Sequence, residues 1–165
     1  YIRMKIKILF VFIFTVIFLG CNDNIIYREF INLGNSWSLN KKARFTIDKT
    51  FFNIDNEYDI YIHLRNNNEY QYNNIFLIGS IKDSINIIEK DTLEYTMADS
   101  EGRWLGKGFL SLKESKLWWK SNFRFPEVNT LTFEIQQATR KNGSQYQDKE
   151  LKGIIDIGVS LEISK

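Results

Sequence analysis

Few residues of this chain are of kinds that do chemistry, and each stands nearly alone. There is one histidine, His63, and one cysteine, Cys21, in 165 residues. A multi-histidine metal site is therefore impossible, and so are an intrachain disulfide and a cysteine-rich zinc site. Asp59 shares a strand face with His63, but four residues at about 3.3 Å each place them about 13 Å apart, too far for a direct base–orienter hydrogen bond. A triad on His63 needs partners from other strands, and the expectation is instead a surface histidine on a polar face. Asn53, Asp55, Glu57 and Asp59 put oxygens at alternate positions, loosely as in a calcium loop, yet Tyr58 stands where such a loop needs glycine. Glu94, Asp99, Glu101 and Glu114 could supply a glycosidase pair, but a separation of roughly 5–9 Å is met by chance in most acidic hairpins. Gly102, Gly106 and Gly108 precede no helix and so form no phosphate-binding loop. No metal, cofactor or enzymatic activity is expected.

Cys21 differs because of what precedes it. Basic Arg3, Lys5 and Lys7 are followed by an apolar run from Ile8 to Leu19, closed by Gly20. Twelve helical residues rise about 18 Å, well short of a hydrocarbon core of about 30 Å, so an export signal fits better than a permanent span. Phe18-Leu19-Gly20-Cys21 resembles a bacterial lipobox, with Phe18 where Leu is usual. The expectation is lipidation at Cys21 and attachment to a membrane through that lipid. Several acyl chains, at about 0.8 kcal/mol per buried CH₂, hold far more firmly than one myristoyl chain. The whole chain carries a net charge of +2. Without the three leader cations the balance is slightly acidic, which argues against a nucleic-acid partner.

Residues 1–20 are thus read as a lipoprotein signal peptide, 21–42 as a lipidated N-terminus with a tether or first strand, and 43–165 as one domain. Only Asn22, Asp23 and Asn24 separate Cys21 from Ile25, about 10 Å even when extended. Trp37, within the loop-like stretch 32–40, is expected to plug a core edge. From Ala43 onward apolar residues alternate with polar ones: Ala43, Phe45, Ile47; Tyr58, Ile60, Ile62, Leu64; Leu93, Tyr95, Met97; Leu131, Phe133, Ile135; and Ile155 to Ile163. Residues 75–81 are more continuously apolar and read as a central strand buried on both sides, followed by a short strand at 85–88. Lys90-Asp91 is expected to reverse the chain. About eight strands predict an all-β fold, an antiparallel two-sheet β-sandwich of Ig-like or jelly-roll-like form.

Residues 91–126 hold three of the four tryptophans and the only proline, which makes them the expected centre of that fold. Asp99-Ser100-Glu101-Gly102 supplies a turn and suggests a hairpin. Gly106 and Gly108 would let another strand or an indole lie close to the backbone. Adjacent Trp118 and Trp119 must point to opposite faces. Leu117, Trp119, Phe123 and Phe125 share the core parity, leaving Trp118 outside in a row with Lys116, Lys120 and Arg124. An exposed indole stacked on such cations would gain only about 0.5–1 kcal/mol. The alternative is a platform for a partner, with Trp104 and Trp118 as aromatic anchors and Lys116, Lys120 and Arg124 as a cationic rim.

Five ordered stretches carry a resemblance: DTLEYTMADSEGRWLGKG at 91–108, KLWWKSNFRFP at 116–126, LRNNNEYQYNNIFL at 64–77, IQQATRKNG at 135–143 and LKGIIDIGVSLEI at 151–163. Together with the lipobox they closely resemble the GldH family of gliding motility-associated lipoproteins of Bacteroidetes. That resemblance implies a lipoprotein of the outer envelope, needed for cell movement over surfaces and working with a motor and the type 9 secretion apparatus. It implies no enzymatic activity, and either face of the outer membrane stays open. The expected function is docking onto other envelope proteins. A glycan-binding module is the rival, and a hydrolase using the acidic hairpin is a third class.

Overall fold

The structure is a computed structural model and describes residues 24–165. The expected signal segment and Cys21 lie outside the described residues. Ten strands make up nearly all the regular structure: β1 (Ile25–Asn32), β2 (Ser36–Ser38), β3 (Ala43–Asp48), β4 (Glu57–Asn66), β5 (Asn74–Lys82), β6 (Ile87–Thr96), β7 (Lys113–Arg124), β8 (Thr130–Gln137), β9 (Glu150–Lys152) and β10 (Ile154–Ile163). A single turn of 3-10 helix, Lys49–Phe51, follows β3. The fold is all-β, and every paired strand is antiparallel. One sheet has the order β1-β10-β4-β7 and the other β3-β8-β5-β6, with β2-β9 as a separate ribbon. Residues 25–32, read as tether or strand, are the edge strand of the first sheet, and Trp37 is fully buried on β2.

The inner faces of the two four-stranded sheets share one core. Ile60, Ile62 and Leu64 from β4 and Ile157, Val159 and Leu161 from β10 join Phe45, Ile47, Leu77, Leu131, Phe133 and Ile135 from the second sheet. Trp119 crosses between them: its ring meets Phe133 edge-on at 5.9 Å and lies over Gly79, where a Cβ would sit only 2.5 Å from the indole. Glycine at 79 is therefore a requirement of the packing, not of the backbone angle. Asp91 of β6 accepts the Trp119 indole N–H at 3.0 Å, and the Tyr95 hydroxyl donates to the Trp118 carbonyl at 2.6 Å. These bonds close the side of the body where β6 and β7 leave their sheets unpaired, in the way exposed edges are usually covered.

Two expectations about the central stretch are corrected. Lys90-Asp91 does not reverse the chain: β6 runs unbroken, and the reversal is at Asp83–Asn86, where the Asp83 carboxylate accepts the Ile85 N–H at 2.7 Å. Nor do the strands on either side of Asp99–Gly102 form a hairpin with each other. β6 pairs with β5 and β7 with β4, in different sheets. The turn instead closes a small loop bridged at Ala98 and Trp104, after which Lys107 pairs with Glu114 at the start of β7. Gly106 lies against that backbone, 2.9 Å from the Glu114 carbonyl if given a Cβ, which is the close approach its missing side chain suggested. Residues 75–81 do form a central strand, but Phe76 and Ile78 on its outer face are only half-buried.

The register defines two ends. Ile25, Tyr58 and Ile163 lie at one, with Asp48, Lys82 and Thr130 of the other sheet; Asn32, Asn66 and Lys113 lie at the other, with Asn74 and Thr96. Ten residues of strand separate them, about 30 Å.

Candidate functional site

β7 turns Trp119 into the core and Trp118 outward, where its side is 55% exposed. The β4–β7 register shifts at Tyr58/Ile60 and again at Ile60/Tyr61. Asn122 takes a left-handed φ of 51°, tolerable for asparagine, and its N–H donates to Asp59 at 3.1 Å. The expected cationic row exists only in part. Lys116 pairs with Glu162 and lies 4.0 Å over the Tyr61 ring; Lys120 reaches Glu89 and Asp91 at 3.1 Å; Arg124 meets Glu57 at 2.7 Å. Each cation is already matched by a carboxylate. None stacks on Trp118, whose indole N–H donates to Ser121 Oγ at 2.9 Å. Trp104 is not with the others: it sits on the loop after β6, half-buried beside Tyr70, with its N–H on Asn68 at 3.1 Å.

His63 corrects the sequence reading most directly. It is only 1% exposed rather than at the surface. Its Nε2 lies 2.8 Å from Ser160 Oγ on β10, and its Nδ1 3.2 Å from Glu114 Oε1 on β7; the other Glu114 oxygen, Oε2, accepts from Arg65 at 2.9 Å. The Phe30 ring of β1 packs 5.5 Å away. Partners from other strands thus do converge on His63, in a serine–histidine–glutamate arrangement. Burial and the neighbouring charge of Arg28 hold the imidazole below its ordinary pKa against the opposing pull of Glu114. Such a chain could move a proton, but the Ser160 hydroxyl belongs to a residue with no exposed surface, so it has no approach to a substrate in this arrangement. An open cleft of about 610 Å³ borders His63, with Arg28, Lys107 and Lys116 on its walls.

One group of residues open to a partner was not singled out by sequence. Between Lys107 and Lys113 the chain turns through Gly108-Phe109-Leu110-Ser111-Leu112, with Phe109 83% and Leu110 80% exposed. Leu105 and Leu112 are exposed beside them. Leu110 holds a φ of 52°, a left-handed conformation uncommon for a residue other than glycine, asparagine or aspartate. The Lys113 ammonium donates to the Gly108 carbonyl at 3.1 Å and steadies the turn. The signal was a short apolar run that fits no alternation and sits between two lysines.

These features define a class: an all-β body of two antiparallel sheets, its outer charges largely self-paired and its exposed apolar side chains gathered mainly in end loops. Residues 25–161 match the family model described as GldH lipoprotein, and the chain belongs to that family. It is 44% identical over 158 residues to the gliding motility lipoprotein GldH homolog of Christiangramia forsetii, covering 94% of each chain. It is 33% identical over 148 residues to gliding motility lipoprotein GldH of Flavobacterium johnsoniae, covering 90% of this chain and 91% of that one. Among solved structures it is similar to dimeric latent PorU from Porphyromonas gingivalis, with a TM-score of 0.36 at 12% identity, over 88% of this chain and 13% of that one. A second, the VP2 subviral particle of infectious bursal disease virus, has a TM-score of 0.30 at 14% identity, over 82% and 33% of the respective chains.

Proposed function

We propose that this protein is a non-catalytic component of the gliding machinery, a β-sandwich held to the outer membrane by lipid on Cys21 and acting by contact with other envelope proteins, type 9 secretion components among them. The observation that carries the docking is the hairpin tip of Phe109, Leu110 and Leu112. A contiguous exposed apolar patch is what a soluble surface avoids unless something covers it. A few anchor residues supply most of the energy of protein interfaces, and aromatic side chains such as that of Phe109 are enriched at their cores. The two gliding motility relatives support the setting, and the fully buried Ser160 hydroxyl supports the absence of catalysis. Lys116, Lys120 and Arg124 are already ion-paired, so they serve as rim contacts around Trp118, secondary to the hairpin.

The test is the double variant Phe109→Asp/Leu110→Asp in the full chain. Recovery of envelope proteins with the tagged variant should collapse and cells should stop spreading, while its unfolding temperature stays that of the wild type. Undiminished recovery with normal spreading would remove the hairpin from the interface. The exposed Trp118 indole, its N–H fixed by Ser121, favours a second reading, a platform for a sugar ring. Binding to immobilised glycans that is lost in Trp118→Ala would establish it, and a blank array would dismiss it.

A further inference from the structure

The end of the body that carries Ile25 also exposes aliphatic side chains, and they have no role in the docking just described. Ile85 is 89% exposed at the tip of the β5–β6 turn, with Ile87 beside it. Phe51 and Ile54 are exposed on the segment joining β3 to β4, and Ile163 ends β10. The Ile163 N–H donates to the Asn24 carbonyl at 3.0 Å, which fixes the point where the described chain begins within this same group. The turn under Ile85 is braced: one Asp83 oxygen accepts the backbone N–H groups of both Ile85 and Asn86. That arrangement holds Asp83 back against the turn and leaves Ile85 outermost.

We propose that this end rests on the bilayer that holds the Cys21 lipid, with Ile85, Ile54 and Phe51 set at the depth of the headgroups. The inference depends on lipidation at Cys21. Only Asn22 and Asp23 lie between Cys21 and Asn24, three peptide steps with a reach of about 10 Å, so an anchored chain has no means of lifting this end far from the membrane. The occupant is therefore the lipid surface itself rather than a protein that would have to enter a gap narrower than a folded domain. Lys49, Lys82, Arg124 and Lys165 at this end are set against Asp48, Asp55, Glu57, Asp83 and Glu127, so charge is roughly balanced. With charge so balanced, contact works mainly by shallow apolar insertion, and electrostatic attraction to anionic lipid adds little.

The experiment uses the full lipidated protein, purified from membranes and returned to phosphatidylcholine vesicles. Cys21 is the only native cysteine, and once lipidated it leaves an introduced cysteine as the one free thiol. Ile85→Cys, Ile54→Cys and Leu110→Cys each receive an environment-sensitive fluorophore, and nitroxide lipids report contact with the bilayer. Labels at 85 and 54 should be quenched at least about threefold more than the label at 110, given an insertion of about 5–10 Å at one end only. Equal or greater quenching at 110, or none at 85 and 54 in protein that floats with the vesicles, would overturn the orientation. Protein that fails to float at all would overturn the lipid anchor on which the orientation rests.

Discussion

Both ends of this body display apolar side chains, but in different arrangements. At the Ile25 end the exposed residues are spread over three short segments, Phe51 and Ile54 on one, Ile85 and Ile87 on the second and Ile163 on the third, with Ile85 outermost. At the Lys113 end most of them lie in one hairpin, Phe109, Leu110 and Leu112, with Leu110 in a left-handed conformation at its tip, and Leu105 and Tyr146 stand outside it. A broad, braced array suits a surface without shape, which is what a bilayer offers. A single projecting tip suits a complementary groove, which is what a folded protein offers. The same chemistry, isoleucine, leucine and phenylalanine in water, serves two partners because the backbone distributes it differently.

The two ends stay about 30 Å apart only while the body between them is intact. Trp119→Ala removes the indole that spans the sheets and should destabilise the fold by about 3–5 kcal/mol, lowering the urea midpoint and impairing both ends together. Its failure to do so would mean that the ends are held by something other than the shared core. The double hairpin variant should separate the ends: partner recovery falls about tenfold or more with stability changed by no more than about 0.5 kcal/mol, since both side chains are exposed. A loss of stability as large as that of Trp119→Ala would show instead that the hairpin is part of the body.

Acid should act on the middle and spare the distinction. The folded state holds His63 below its ordinary pKa, so its contribution is present above about pH 6.5 and is lost as pH falls further. Glu134 adds a second, lower step. Burial opposes its ionisation, but hydrogen bonds from Lys82, Arg44 and Lys42 outweigh that and pull it down to about 2. Its contribution is therefore full above the unfolded value and disappears between about pH 4.5 and 2. Urea midpoints measured across this range should decline in two steps, the first absent in His63→Gln.

Alternation revealed which residues face the core, including the division between Trp118 and Trp119, because side-chain direction is a property of the strand itself. It did not reveal which strands are neighbours. Asp99–Gly102 looked like the turn of a hairpin, yet the strands it joins belong to different sheets, and only tertiary packing makes that choice. Lys90 and Asp91 looked like a reversal because both are polar; Asp91 spends its polarity sideways, on Trp119 and Lys120 of the facing sheet. His63 looked solvated for the same reason, while its partners Glu114 and Ser160 lie 51 and 97 residues away in sequence. The pairing of Lys116, Lys120 and Arg124 with carboxylates is likewise a long-range fact. The hairpin tip was overlooked because exposure of a short apolar run is visible only when nothing in the folded chain covers it.

The division of labour between the ends can be tested in living cells by placing a photo-activated crosslinking residue at position 110 in one strain and at position 85 in another. Illumination should capture envelope proteins from position 110 and only lipid from position 85. Protein captured from position 85 with none from 110 would contradict it.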